Sequence, residues 1–150
     1  MTTIPEVRRA IADRIVGLDG EINVFAYPPR DYPLPVVVVV PASDTYAEFH
    51  GTFGALALQT VYLIVRVMVP EAGSSQSASE RLDEYLSSSS ESSSSLADLI
   101  TGAQVPIGDS IADIYASTAE GWLHGELQQS SQVTPVVSCD IPVVVRFARS

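Results

Sequence analysis

Two long stretches of alternation constrain this chain more than any other feature. Over residues 56–69, Val61, Leu63, Val65, Val67 and Val69 share one parity, and Thr60, Tyr62, Ile64, Arg66 and Met68 take the other. Over 136–147, Val137, Cys139, Ile141, Val143, Val145 and Phe147 alternate with Ser138, Asp140, Pro142 and Arg146. A period of two sends successive side chains to opposite faces of a strand. Each stretch therefore predicts a strand with one almost wholly apolar face. The first spans 14 residues, well beyond the usual strand of about 5–6, so one end is expected to project from the sheet or bend. Pro142 lacks a ladder donor, which predicts an edge position or a bulge for the second.

A third strand is predicted where five consecutive valines, Val36 to Val40, run into Pro41. β-Branched residues crowd a helix and fit a pleated sheet, and a run without polar alternation reads as a strand covered on both faces. Residues 21–27 and 111–120 read as weaker strands. Between them, 42–54 reads as a polar and aromatic loop holding Tyr46, Phe49, His50 and Phe53, with Trp122 and His124 in a turn between glycines. The Pro28, Pro29, Pro33, Pro35 cluster forces an extended connection.

The strands' apolar faces need a cover, and helical spacing supplies it. Ile4, Val7, Ile11, Ile15 and Leu18 recur at intervals of three and four. Thr3 is placed to cap that helix and Pro5 fits its first turn. Glu6, Arg8, Arg9, Asp13 and Arg14 read as its solvated side. Ala78, Leu82, Tyr85 and Leu86 predict a second helix over 77–86, and 96–100 a short third. Residues 87–95, eight serines and one Glu, cannot bury apolar surface and read as a flexible loop.

The order is therefore helix, two or three strands, two helices, two strands, in one domain spanning 1–150. It predicts an α+β fold: a two-layer sandwich whose mainly antiparallel or mixed sheet carries helices packed on one face. The sheet's second face would then present Tyr62, Ile64 and Met68, too apolar to be left in water. With no second domain to cover them, these residues, joined by Tyr46 and Phe49 from the neighbouring loop, are candidate subunit contacts.

Composition closes off several classes of function. Eight arginines and no lysine stand against 18 acids, a net charge of −10, which disfavours attraction to phosphate backbones or anionic lipid. The single Cys139 excludes an internal disulfide and multi-cysteine metal sites, and reads as a small buried hydrophobe. Charges within the N-terminal apolar pattern argue against a signal peptide, and the longest uncharged apolar stretch, 51–65, is too short for a membrane helix. A soluble protein is expected.

Motifs for chemistry are weak. Gly108-Asp109-Ser110 matches the nucleophile block of GDS-type esterases over three residues, but stands late in a chain without repeated βαβ units, and reads as a turn. His50 and His124 have no partner at metal-ligand spacing. Glu80, Asp83, Glu84 and Glu91 form an acidic cluster beside the serines, without an apolar pocket to raise a carboxyl pKa. No catalytic residue, cofactor or metal is assigned.

The ordered set of segments is more informative. Arg9-Ala-Ile-Ala-Asp-Arg14, Val24-Phe-Ala-Tyr-Pro28, the valine strand ending at Pro41, Tyr46 and Phe49 before a long strand, Ser79-Glu-Arg-Leu-Asp-Glu-Tyr-Leu86 and the final Val143-Val-Val-Arg-Phe147 resemble, across nearly the whole chain, the tail terminator proteins of long-tailed bacteriophages, especially those of actinobacteria. The resemblance implies a structural virion protein and no enzyme: a ring of six copies that ends the tail tube and joins it to the head-proximal neck. Its partners would be further copies of itself, the tail tube protein and a neck or head-completion protein, with assembly in the host cytoplasm. Genomic DNA would pass through unbound, with Glu80, Asp83, Glu84 and Glu91 as candidate channel residues. Another neck protein, connector or stopper, is the nearest alternative, and a small serine hydrolase the remote one.

Overall fold

The computed structural model describes residues 2–16, 22–50, 57–71, 75–87, 95–129 and 132–149. Helix α1 (Ile4–Ile15) begins at a capping box: the Glu6 backbone N–H donates to Thr3 Oγ1 at 3.4 Å, and the Thr3 N–H donates to Glu6 Oε2 at 2.7 Å. Strands β1 (Asn23–Phe25), β2 (Val36–Pro41), β3 (Ala47–His50) and β4 (Ala57–Pro70) follow. Helices α2 (Ser75–Leu86) and α3 (Leu96–Ile100) lead into β5 (Gly102–Ile107), β6 (Ser110–Tyr115), β7 (Glu120–Gln129) and β8 (Gln132–Arg149). The expectations for Leu18, Phe53 and residues 88–94 fall outside the described residues.

The α+β class holds, with strands dominating. β4 and β8 form the antiparallel spine, in register from Ala57 opposite Arg149 to Pro70 opposite Val136. β2 pairs one end of β4 and β3 the other, while β7 and β6 divide β8 in the same way. Only β1 with β2 is parallel among the described pairs. The two alternating stretches meet as their periodicity requires: Val61 faces Val145, Leu63 faces Val143, Val65 faces Ile141 and Val67 faces Cys139. Their inner face joins Val7, Ile11 and Ile15 of α1, Leu82 and Tyr85 of α2, and Leu96 and Ile100 of α3 in one cluster.

Several expectations need correction. Neither end of the 14-residue strand projects beyond the sheet, because β8 pairs it throughout. β8 lies inside the sheet, yet at Pro142, opposite Ile64 of β4, its other side is unpaired, because β7 stops pairing at Asp140 and β6 starts at Val144; the edge expected for the proline is local rather than that of the whole strand. The loop expected over 42–54 contains β3, and the turn expected at Trp122 and His124 is part of β7. β1 is only three residues of the expected 21–27, the strand expected over 111–120 ends at Tyr115, and β5 was not signalled by periodicity. A bulge between Gly102 and Val105 breaks β5's alternation; there Gln104 has φ +53° and donates its N–H to Asp113 Oδ1 at 3.0 Å.

The solvated reading of α1's charged side also fails at two positions. Arg8 is 4% exposed: Nε donates to Ala26 O at 2.8 Å, Nη1 to Tyr46 Oη at 3.2 Å, and Nη2 to Val39 O. Arg14 reaches the end of α3, donating from Nε to Leu99 O at 3.0 Å and from Nη2 to Thr101 O at 3.0 Å. A planar guanidinium satisfies several otherwise orphaned carbonyls from one helix face, which a sequence pattern does not distinguish from solvation.

Candidate interaction surface

The outward side chains of β4, β8 and β6 fall into cross-strand rows. Tyr62 lies opposite Val144, which lies opposite Tyr115; Ile64 lies opposite Pro142. The next row joins Thr60, Arg146 and Asp113. Tyr62 and Ile64 are half-buried, while Leu58, Ile111 and Tyr115 are 55%, 63% and 51% exposed. Large apolar groups thus stay in water across the part of the outer face where β3, β4, β8 and β6 meet, as a contact surface would require.

The residues 42–45 hang beside this surface. The Ala42 N–H donates to Tyr62 O at 3.1 Å and the Tyr62 N–H to Tyr46 O at 2.8 Å. Together with Tyr62, Ile64, Pro142 and Val144 they bound a groove of about 440 Å³, with Glu48 and Glu120 also lining it. The Tyr62 hydroxyl bonds to Glu48, whose carboxylate raises the phenol above its ordinary pKa.

Met68 does not belong to this surface. It is 6% exposed, in a second cluster with Val36 and Val38 against which Phe25, Tyr32, Leu34, Val40 and Leu127 pack. The cover comes from the chain itself. The proline-rich connection lays Tyr32 and Leu34 over the outer face, and β7 bends back to meet it, where Gln129 Nε2 donates to Tyr32 O at 3.0 Å and the Tyr32 N–H to Gln129 Oε1. A side-chain amide thereby imitates a ladder pair where a true strand is absent. The expectation that the whole second face lacks an internal partner is corrected to its Tyr62 and Ile64 half.

Between the halves, Arg66 donates to Asp140 through Nε at 2.9 Å and Nη2 at 3.1 Å, directly across the β4–β8 register. Tyr46 is half-buried and accepts from Arg8, so it braces the fold from inside. Phe49 pairs with Gln59 in the ladder, and its side chain lies outside the described residues. β7 adds Trp122 and Leu123, 58% and 59% exposed, beside a bulge where Gly121 has φ +67°. Sequence reasoning missed Leu58, Ile111, Tyr115 and Trp122; the alternation of 110–115, Ser110, Ala112 and Ile114 inward, was a usable signal for two of them.

Glu80, Asp83 and Glu84 lie together on the exposed side of α2, with Gln76 Nε2 donating to Glu80 Oε1 at 3.2 Å. Glu91 lies outside the described residues. The structure does not bring the acidic helix face together with the apolar outer face: α2 belongs to the sheet's inner side.

The remaining motifs take plain local roles. Gly108, φ +60°, and Asp109 form a two-residue turn between Ile107 and Ser110, with glycine where a primed hairpin turn demands a positive φ. Thr2 holds this turn to the N-terminus, donating to Ile107 O at 2.7 Å. His124 Nε2 is 2.7 Å from Glu71 Oε2. Cys139 is 2% exposed, and burial, with Asp140 and Asp83 adding, pushes its thiol up to about 11. No group of three metal-ligating side chains exists among the described residues, and no described helix is long and apolar enough to cross a membrane. No protein-family model matches the chain, and no curated protein matches it.

Proposed function

We propose that this chain is a structural virion protein, a tail terminator whose copies close into a ring of six at the head-proximal end of a phage tail tube. In this reading the domain is a two-layer sandwich whose helices form one layer and whose sheet turns its open face to a neighbouring copy. The observation that supports it is the division of the outer face: the chain shields Met68 with its own segments yet leaves Leu58, Ile111 and Tyr115 more than half exposed. A monomer gains nothing from that exposure, whereas an assembling subunit buries it without unfolding anything first.

The ring acts through shape and charge, without catalysis. The exposed carboxylates of α2, Glu80, Asp83 and Glu84, would repel passing DNA phosphates within about 8 Å at physiological salt, so they serve the conduit only if they line its channel. The tube end and a neck protein are the partners at its two rims. Solution mass by light scattering tests the reading: a discrete oligomer of about six chains is expected, and a monomer at every concentration overturns it.

A further inference from the structure

We propose that the groove beside Tyr62 receives the proline-rich corner 27–30 of a second copy, with Arg30 set between Asp44 and Glu120. The inference rests on the ring reading above and names the contact that builds it.

The receiving side is an aromatic and aliphatic floor with acids at its margin. Tyr62, Ile64, Pro142 and Val144 supply the floor, and Asp44 and Glu120 are exposed beside it. Neither acid makes a hydrogen bond or ion pair with the described residues. Arg146, whose charge reaches Tyr62, belongs to the next cross-strand row, opposite Thr60.

The inserting side has matching chemistry. Tyr27-Pro28-Pro29-Arg30 carries two fixed φ angles in a connection without helix or strand, and Tyr27, Pro28 and Arg30 are exposed. It is held at both ends. Arg8 lies 4.0 Å from the Tyr27 ring centroid and donates to Ala26 O, while Gln129 grips the backbone of Tyr32. A segment so restrained loses little conformational entropy on docking, and extended proline-rich segments characteristically seat on aromatic-lined grooves.

Charge and position together favour Arg30 among the cations whose side chains the structure describes, Arg146 being fixed on the sheet beside the groove itself. Arg8 and Arg14 are spent on internal carbonyls, Arg66 on Asp140, and Arg81 on the Tyr85 hydroxyl at 3.0 Å. Arg9 is exposed on α1, whose helical backbone offers no extended segment to fill a groove. Arg30 is exposed and makes no ion pair with the described residues. Copies carrying −10 each repel one another, so a contact that sets a cation between two acids relieves the repulsion where the surfaces meet. The groove and the corner are different surfaces, so the contact is head-to-tail and repeats from copy to copy.

The test is charge reversal, read as solution mass at low and physiological salt, with thermal melting as the folding control. Arg30→Glu, and separately Asp44→Arg with Glu120→Arg, should each weaken association at least about ten-fold without shifting the melting temperature. The triple variant, Arg30→Glu with Asp44→Arg and Glu120→Arg, should restore it. An oligomer indifferent to either reversal, or one the triple variant fails to restore, overturns this contact and leaves the ring reading standing. A wild-type monomer at every concentration overturns both.

Discussion

Along β4 and β8 the inward side chains are sealed under three helices, with Val65, Val145 and Phe147 at 1% exposure or less. The outward ones divide near the Arg66–Asp140 pair. On one side Met68, Val36 and Val38 are covered by the chain's own connection and by Leu127; on the other, Tyr62 and Ile64 stay half-buried and Tyr115 and Ile111 are more than half exposed. The composition of the two outer halves is similar. What differs is whether another segment of the same chain passes over them, so burial here records topology more than hydrophobicity.

Substitutions can break or sharpen that contrast. Phe147→Ala on the inner face should cost about 3–5 kcal/mol, since helices anchored elsewhere cannot collapse into the space left behind; urea denaturation measures it. A loss below about 1 kcal/mol would mean the inner face is no better packed than the outer. Met68→Ala should cost about 2–3 kcal/mol if the self-covered half is a true small core. A negligible change there would make the outer face one continuous open surface, extending the exposed apolar region to Arg66 and beyond. Ile111→Ser should leave stability within about 0.5 kcal/mol while lowering self-association. Destabilisation well beyond that would show that the chain itself covers Ile111.

Much of this architecture was legible before any coordinates. Strict alternation identified the faces of β4 and β8 residue by residue, because a buried face tolerates no slip of register. Thr3 and Glu6 stand at capping-box spacing, a local arrangement that needs no distant partner. Cys139 could be read as inert from its place in the apolar parity. The candidate site was only partly legible. Tyr62 and Ile64 remain on an open face, but Met68 shares their parity and differs only in what crosses above it.

β3, β5 and β7 were illegible for a related reason. Ala47–His50 has too few residues for a period, Gly102–Ile107 is interrupted by a bulge, and Glu120–Gln129 carries two glycines and a histidine. Each is a strand because β4, β6 or β8 offers it an edge, and backbone pairing is indifferent to side-chain pattern. Arg8 shows the same limit for charge: its helix position reads as solvated, and only the carbonyls of Ala26 and Val39 arriving from elsewhere make it a buried strut. The amino-acid sequence alone determined the parity of the spine, the cap of α1 and the balance of charge, all set within a few residues or by simple summation. Which edges are paired, which half of the outer face is covered and which arginines are held by internal carbonyls and carboxylates were decided by the tertiary structure, because each depends on segments distant in sequence meeting at one place.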